Sequence, residues 1–458
     1  MQVASDPHFP FRGSFPDTFA ALLDQPACDS LFERCGPRGG PDPKLSPWQW
    51  LMARTWHQLA PAGSFSTHVN EITGIRISGS ALSQRGQAIG WELLHEALGL
   101  ALRPMADPAL HPGAFHRGLR LLAIDGTTFN LRNTPAIGAR AVKVPCGRGG
   151  GQPAFARLLA VVLVELGMYQ PLAASLGWRN EGEITLARQI IGQRELPEKS
   201  LLLGDRLYGS PWLLWHLLPA LAKGGGAFLM RAKSNLKAEV KEPLADGSRR
   251  IAVRVVDPQT RRVAGTLELR EILADVTLAG GGKPLRLRLW TSLMDATLHP
   301  ATELVELYAA RWQQELFFRE LKVKLHGRGN LLDAQTPETA AQEVMAMLLA
   351  AAVLAMQRAA VAEAAGVEVP RISFAVVRDY TAAMCKLLEL GDDLMELPKR
   401  AIWVERALRQ LAEVALIPVR KPRSCQRALR QPVKDWPKMK HSTSLPLVKT
   451  IHIDTASP

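Results

Sequence analysis

Residues 119–131, LRLLAIDGTTFNL, open a series of apolar runs that continues with ARLLAVVLVEL (156–166), PLAASLG (171–177), LLLGD (201–205) and GAFLMRA (226–232). These runs are rich in Leu, Val and Ala and lack the polar alternation of a half-exposed strand, so they read as strands buried on both faces. Between them, ITLARQIIGQ (184–193) and WLLWHLLPALA (212–222) carry the three- and four-residue apolar spacing of helices. Three early strands followed by alternating helix and strand give an α/β core with a mixed sheet. Two of the strands close on an acid. The first reaches Asp125 before Gly126-Thr127-Thr128, and LLLGD stops at Asp205, after which Ser210 and Pro211 start the next helix. Such a sheet is expected to bring the strand ends that carry Asp125 and Asp205 together.

A third acid lies in LVELYAARWQQELFFRELKVKL (304–325). At about 100° per residue, Tyr308, Arg311, Glu315 and Lys322 fall on one helical stripe, which Arg319 and His326 extend. The apolar set Leu304, Leu307, Trp312, Leu316 and Leu321 lies elsewhere around the helix. One carboxylate among several cations suits a phosphate, although a solvated, salt-bridged face has the same composition. The two strand-end aspartates favour the first reading. With Glu315 they form a set of hard oxygen ligands of the kind that holds Mg²⁺ or Mn²⁺. Two such ions about 3.5–4 Å apart activate the attacking oxygen and stabilise the leaving oxygen of an in-line phosphodiester substitution.

The spacing Tyr-(2)-Arg-(3)-Glu-(6)-Lys, here Y-AA-R-WQQ-E-LFFREL-K, resembles without departure the signature of the insertion-sequence-four family of bacterial DDE transposases. IDGTTFNLRNTP resembles the block around that family's first Asp, and LLLGDRLYGSPWLLWHL with GAFLMRAKSNLK the block around its second. HGRGNLLDAQTPETAAQEVMAMLLA resembles the family's stretch after its third acid, and the similarity extends over residues 30–440. The resemblance implies a ribonuclease H-like mixed-sheet catalytic core with a β-rich insertion, flanked by helical N- and C-terminal regions. It implies a DNA transposase that binds the terminal inverted repeats of a bacterial insertion sequence and performs cut-and-paste strand cleavage and transfer. Asp125, Asp205 and Glu315 would hold two Mg²⁺ or Mn²⁺ ions, Arg311 and Lys322 would clamp phosphates, and Tyr308 would donate its hydroxyl to one. The partners implied are double-stranded DNA, at transposon ends and target, and a second copy of the chain in a homodimeric synaptic complex. Better-known relatives cut the second strand through a DNA hairpin. Arg206 has three open roles: orienting the Asp205 carboxylate, touching DNA, or capping the following helix. Arg319 and His326 fall outside the recognised spacing. A metal-dependent nuclease of the same fold and a catalytically inactive regulatory DNA-binding relative are the alternative functions.

Composition sets independent bounds. The chain has 458 residues, 47% of them hydrophobic, enough for roughly two to four domains with real cores. Fifty-six Lys and Arg against 43 Asp and Glu leave a net charge of +13, which favours a polyanionic partner and salt-dependent binding. The N-terminus lacks the order of a signal peptide, and no apolar run of about 18 residues is free of charge, so a cytoplasmic protein with no membrane partner is expected. Cys28, Cys35, Cys146, Cys385 and Cys425 are odd in number and scattered, as in a reducing compartment. Cys28 and Cys35 lack a second ligand pair, so no zinc site is expected there.

The chain organises into five segments. Residues 1–112 read as a helical N-terminal DNA-binding domain. Within it STHVNEITGIRISGSALSQRGQAIG (66–90) has a helix, a turn and a polar helix start suited to reading a groove, or to an ordinary Ser-capped surface helix. Residues 113–233 hold the first part of the core. The Gly-rich turn GRGGG (147–151) reads as a hairpin loop or a phosphate cradle. Residues 234–300 change to a period of two and form the β-rich insertion, with Ile251, Val253 and Val255 on one face alternating with Ala252 and Arg254 on the other, and Leu267 and Leu269 alternating with Glu268 and Arg270. There LRLRLW (285–290) places Arg286, Arg288 and Trp290 on one face, to stack an unpaired base or to pack within the strand. Residues 301–358 complete the core with the Glu315 helix and an Ala-rich packing helix. Residues 359–458 form a helical C-terminal region whose tail, from Arg420 to Lys440, is basic and interrupted by proline, extended on DNA or solvated.

Overall fold

The computed structural model describes residues 14–36, 44–60, 62–141, 143, 154–178, 181–193, 196–277, 284–325, 327, 331–390, 396–418 and 450–453. The turn at 147–151, Cys146, Cys425, His326 and the basic tail from Arg420 to Lys440 lie outside the described residues. The chain forms two units, Met1–Glu195 with Trp312–Ile417, and Leu196–Arg311 with Pro418–Pro458.

The first unit begins with six helices, α1 (Phe15–Leu22), α2 (Gln25–Cys35), α3 (Pro47–Leu59), α4 (Phe65–Thr73), α5 (Gly79–Ala88) and α6 (Trp91–Ala101). Side-chain caps start four of them: Asp24, Ser46, Ser64 and Ser78 each accept a backbone N–H of the first turn, each worth about 1 kcal/mol. Phe15, Phe19, Trp48, Trp50 and Trp56 pack between them. Gly74, at φ 69°, ends α4 in the left-handed conformation that glycine adopts without strain. Helix α5 buries only Leu82 and Gly86, and exposes Ser80, Ser83, Gln84 and Gln87.

An antiparallel sheet follows. Strands β1 (Phe115–His116), β2 (Leu119–Leu131), β3 (Ala156–Glu165) and β4 (Gln170–Gly177) pair in sequence, with α7 (Pro135–Arg140) after β2 and α8 (Glu183–Gln193) after β4. Strand β2 does not stop at Asp125. Its ladder with β3 continues to the Leu131–Ala156 pair, so Asp125 stands in mid-strand opposite Val162. The buried carboxylate of Glu165 accepts the Met105 and Ala106 N–H groups and pairs with Arg120, which fastens the segment after α6 to the sheet.

In the second unit β5 (Ser200–Gly204), α9 (Pro211–Lys223) and β6 (Ala227–Arg231) form a parallel crossover. The β-rich insertion adds β7 (Glu239–Pro243), β8 (Arg249–Val256), β9 (Val263–Thr277) and β10 (Leu285–Thr291), in the order β5-β6-β10-β9-β8-β7, and α10 (Ala301–Tyr308) follows. Ile251, Val253, Val255, Leu267 and Leu269 are buried as their alternation predicts. Arg270 departs from the pattern. Alternating with Leu269 as Glu268 does, it is nonetheless fully buried, paired with Asp246 and donating to the Leu293 and His299 carbonyls. Beside it Glu271, equally buried, accepts from Arg249, Arg288 and Trp290.

The first unit resumes with α11 (Trp312–Arg319), a π turn at Glu320–Leu325, α12 (Pro337–Ala364), α13 (Phe374–Leu390) and α14 (Leu397–Val414), and β11 (Thr450–Ile453) pairs with β9 in the second unit. Helix α12 is the centre of the first unit's core and packs on α1, α3, α5, α6, β4, α13 and α14. It is the helix among the described residues long and apolar enough to cross a membrane, and 89% of that window is buried in the fold. That burial identifies a core helix.

Candidate active site

In the first unit two acids are carried by neighbouring elements. Asp125 projects from β2, where its Oδ1 accepts the Gly126 N–H at 2.8 Å. Opposite it in the ladder is Val162, whose carbonyl accepts the side-chain N–H of Gln314 at 3.2 Å. Gln314 is fully buried and immediately precedes Glu315, so this bond ties the Glu315 helix to the strand pair that bears Asp125. Farther along, the Lys322 ammonium donates to the Thr128 carbonyl of β2 at 2.9 Å and lies 5.2 Å from the Phe129 ring centroid. Burial draws the Lys322 ammonium down to about 8.

Lys322 does not sit on a regular α-helix. A 3₁₀ turn at Ala309–Arg311 precedes α11 and the π turn follows it, so the rotation per residue changes at both ends. Two buried groups hold the π turn. Arg358 of α12 pairs with Glu320 at 3.1 Å, donates to the Ile372 carbonyl at 2.9 Å and lies over the Tyr169 ring at 4.6 Å. Burial pushes the Glu320 carboxyl up, and the Arg358 charge pulls it back. Within α11 the expected inner face is also revised. Trp312 is 55% exposed, and Gln314, Phe317 and Phe318 are buried instead.

The second unit carries Asp205, immediately after β5. Its Oδ1 accepts the Leu207 N–H at 2.7 Å, and its carbonyl accepts those of Tyr208 and Gly209, forming a tight turn into α9. A β-carbon at Gly209 would meet the Arg231 carbonyl oxygen at 2.2 Å, so only glycine fits the turn against β6. The Tyr308 hydroxyl donates to the carbonyl of Gly204 at 3.2 Å, one residue before Asp205. Burial pushes the Tyr308 phenol up to about 12, Asp205 adds to the rise, and Arg311 and Arg231 oppose it. Tyr308, Arg311, Asp205 and Arg231 therefore share one electrostatic neighbourhood. Arg231 is absent from the sequence-derived set. It ends β6, the parallel neighbour of β5, and the matching strand ends are the signal that could have found it.

Two candidates stand apart from these groups in character. Arg206 is exposed, and the backbone N–H of Leu207 orients the Asp205 carboxylate. Trp290 is 0% exposed, donates its indole N–H to Glu271 at 2.9 Å and lies under the Arg288 guanidinium at 5.1 Å. It is a packed strand residue, and its ring offers no open face to a base.

Asp125, Asp205 and Glu315 each bring hard carboxylate oxygens of the type Mg²⁺ and Mn²⁺ prefer. Asp125 and Asp205 are further oriented by backbone N–H groups, as metal-binding carboxylates generally are. Within each unit, among the described residues, no three His, Cys, Asp or Glu side chains form a cage for a metal ion.

Comparison with known proteins gives three findings. A family model described as a transposase DDE domain matches residues 116–353. The transposase InsG for insertion sequence element IS4 of Escherichia coli (strain K12) is 26% identical over 359 residues, covering 78% of this chain and 77% of that one. Among solved structures, the cryo-EM structure of the piggyBac transposase synaptic complex with hairpin DNA is similar at 8% identity and a TM-score of 0.45, covering 90% of this chain and 86% of that chain.

Proposed function

The chain belongs to the transposase DDE domain family, as a DNA-cleaving transposase of the insertion-sequence-four type, and from that premise we propose that Asp125, Asp205 and Glu315 hold its divalent ions. The observation that carries this reading is the pair of bonds, Gln314 to Val162 and Lys322 to Thr128, that fasten the Glu315 helix to the Asp125 strand. Two bound Mg²⁺ or Mn²⁺ ions would supply Lewis-acid activation of the attacking oxygen and neutralise charge on the leaving one.

The remaining work falls to the chain's own groups. Lys322 and Arg311 clamp phosphates beside the scissile bond, where fixed cations in a partly dry site make charge-assisted hydrogen bonds. Tyr308 steadies the strand end beside Asp205 through Gly204 and Arg311, and to donate to a phosphate its hydroxyl would exchange the Gly204 carbonyl for a phosphate oxygen. Arg206, exposed beside Asp205, faces the DNA. Water attack frees a 3′-hydroxyl at the transposon end. Attack of that hydroxyl on the opposite strand gives a hairpin, and attack on target DNA gives insertion. The helical segment 1–112 reads the terminal inverted repeats through the exposed polar face of α5, and two copies of the chain hold the paired ends. The charge of +13 supplies the nonspecific part of the affinity.

The test is Glu315→Gln on DNA bearing the element's own inverted repeats. It keeps the cations that bind DNA and removes one ligand, so end binding should persist while nicking falls by about 100-fold or more. A variant that still nicks in Mg²⁺ overturns the assignment. Wild-type protein that yields only hydrolysed ends and never joined products points to a nuclease of the same fold.

A further inference from the structure

A cavity of about 1150 Å³ lies in the first unit between α3, α4, α5 and the start of α12. Its wall holds two buried donors that the fold leaves unused. The Trp50 indole is 1% exposed, and its N–H has no partner among the described residues. The Arg54 Nε–H is enclosed and unpaired in the same way, while Arg54 Nη2 reaches the Thr339 carbonyl at 3.4 Å. Buried polar groups are almost always hydrogen-bonded, so two such donors on one cavity wall mark a place for acceptor oxygens. They stand one turn apart on the same side of α3. The Phe65 ring braces both, meeting Trp50 edge-on at 5.4 Å and lying 4.9 Å beneath the Arg54 guanidinium.

We propose that this cavity is a second phosphate site, separate from the catalytic one, in which Arg54 and Trp50 hold the DNA backbone beside the base pairs that α5 reads. The inference rests on the reading of α5 as the helix that meets the terminal repeats, and goes beyond it. Ser83 and Gln87, on the exposed polar side of α5, also line the cavity, which brings the backbone of a duplex seated on α5 to its edge.

The wall favours an anion. Ser64, Gly79 and Thr336 lie at the starts of α4, α5 and α12 and line the cavity, so three positive helix ends meet there. Exposed Lys324 adds a cation from the π turn. The acids on the same wall are already engaged: Asp333 pairs with Arg132, Asp379 with Arg378, and Glu343 accepts the Asp333 and Ala334 N–H groups. Burial lowers the pKa of Arg54 against the opposing pull of Glu343, as in a charged group short of the solvation that a phosphate supplies.

The experiment uses the full chain and duplexes that carry its own terminal repeat, with single backbone phosphates replaced in turn by uncharged methylphosphonates. Gel-shift affinity of the wild type should fall about 10- to 100-fold at one or two positions beside the α5 contacts, the loss of one charge-assisted bond. Arg54→Met should be indifferent at those positions, and its slope of log affinity against log salt should be shallower by about 0.9. Trp50→Phe keeps a ring on Phe65 and removes the donor, so affinity should fall about 3- to 10-fold with the salt slope unchanged. Glu343 keeps its two backbone donors without Arg54, so Arg54→Met should melt no lower than the wild type; if it does, Trp50→Phe decides. Losses in Arg54→Met that match the wild type at every position, or wild-type affinity in Trp50→Phe, overturn the proposal. Inorganic phosphate that binds the DNA-free wild type and not Arg54→Met, with both proteins equally sensitive to every methylphosphonate, overturns it too and assigns the cavity to a free anion. Gln84→Ala run in parallel separates the two levels. If it still discriminates the repeat from unrelated DNA, the reading of α5 fails and the scan alone decides the cavity; if it loses discrimination while Arg54→Met and the wild type respond alike, only the cavity site fails.

Discussion

Among the described residues of the site, Lys322 is a cation whose charge changes near neutral pH. Burial lowers its pKa from 10.5 to about 8, so about nine-tenths of the side chain is charged at pH 7 and about one-tenth at pH 9. Phosphate oxygens nearby favour the charged form and move the transition upward when DNA is bound. Affinity for DNA ends should therefore decline as pH rises from neutrality. Gel-shift titrations with pre-cut ends, across pH 7–9 and several salt concentrations, measure it. Lys322→Arg keeps its charge throughout and should lose the pH dependence. Lys322→Met should bind more weakly, also without the pH dependence, and with the slope of log affinity against log salt shallower by about 0.9, the value for one phosphate contact. Stability gives a second readout. Between about 8 and 10.5 the unfolded chain holds a proton that the folded chain has released, so stability rises with pH across that window. Below it the charged lysine is a net burden on the fold, and Lys322→Met should raise Tm at pH 7 while weakening DNA binding. Identical pH and salt profiles in the wild type and both variants would refute the reasoning.

Two further predictions concern buried charges. Arg358→Met strands the Glu320 carboxylate beside the π turn and should cost about 3–5 kcal/mol, read from the denaturant midpoint. Most of it should return in the Arg358→Met/Glu320→Gln double variant, and a purely additive double variant would argue against the pairing. Glu271 is held below its ordinary 4.5: burial raises it, but hydrogen bonds from Trp290, Arg288 and Arg249 prevail. Its contribution is present above that ordinary value and is lost as pH falls toward the folded one, because the unfolded chain takes up the proton first. Glu271→Gln should therefore flatten the acid limb of the stability curve, and hydrogen exchange along β9 is the local measurement that checks it.

The core strands were legible because they are buried on both faces, and continuous apolar runs are what such burial demands. Asp205 was legible as a strand end because Gly204 and the Ser210-Pro211 helix start lie in the same stretch of chain. Asp125 was not, since the length of β2 is set by how far β3 pairs with it, a fact written in residues 156–165. Arg270 defeated the alternation for a related reason. Its partners Asp246, Leu293 and His299 are remote in sequence, and only their convergence makes a buried guanidinium tolerable. The π turn around Lys322 depends on Arg358, supplied by another helix.

Helix α12 has a consequence for how the protein is made. Within its run from Pro337 to Ala364, an 18-residue stretch of mean hydropathy 1.9 is a segment that a membrane-insertion pathway or an aggregate would readily accept. The elements that cover much of it, α1, α3, α5, α6 and β4, are all encoded upstream. At ordinary elongation rates β4 leaves the ribosome roughly 10–30 s before α12 does. A receiving surface can thus fold before the apolar helix emerges, and α13 and α14 close over it afterwards. Chain order acts here as a built-in chaperone: the most hazardous segment is synthesised only after its shelter.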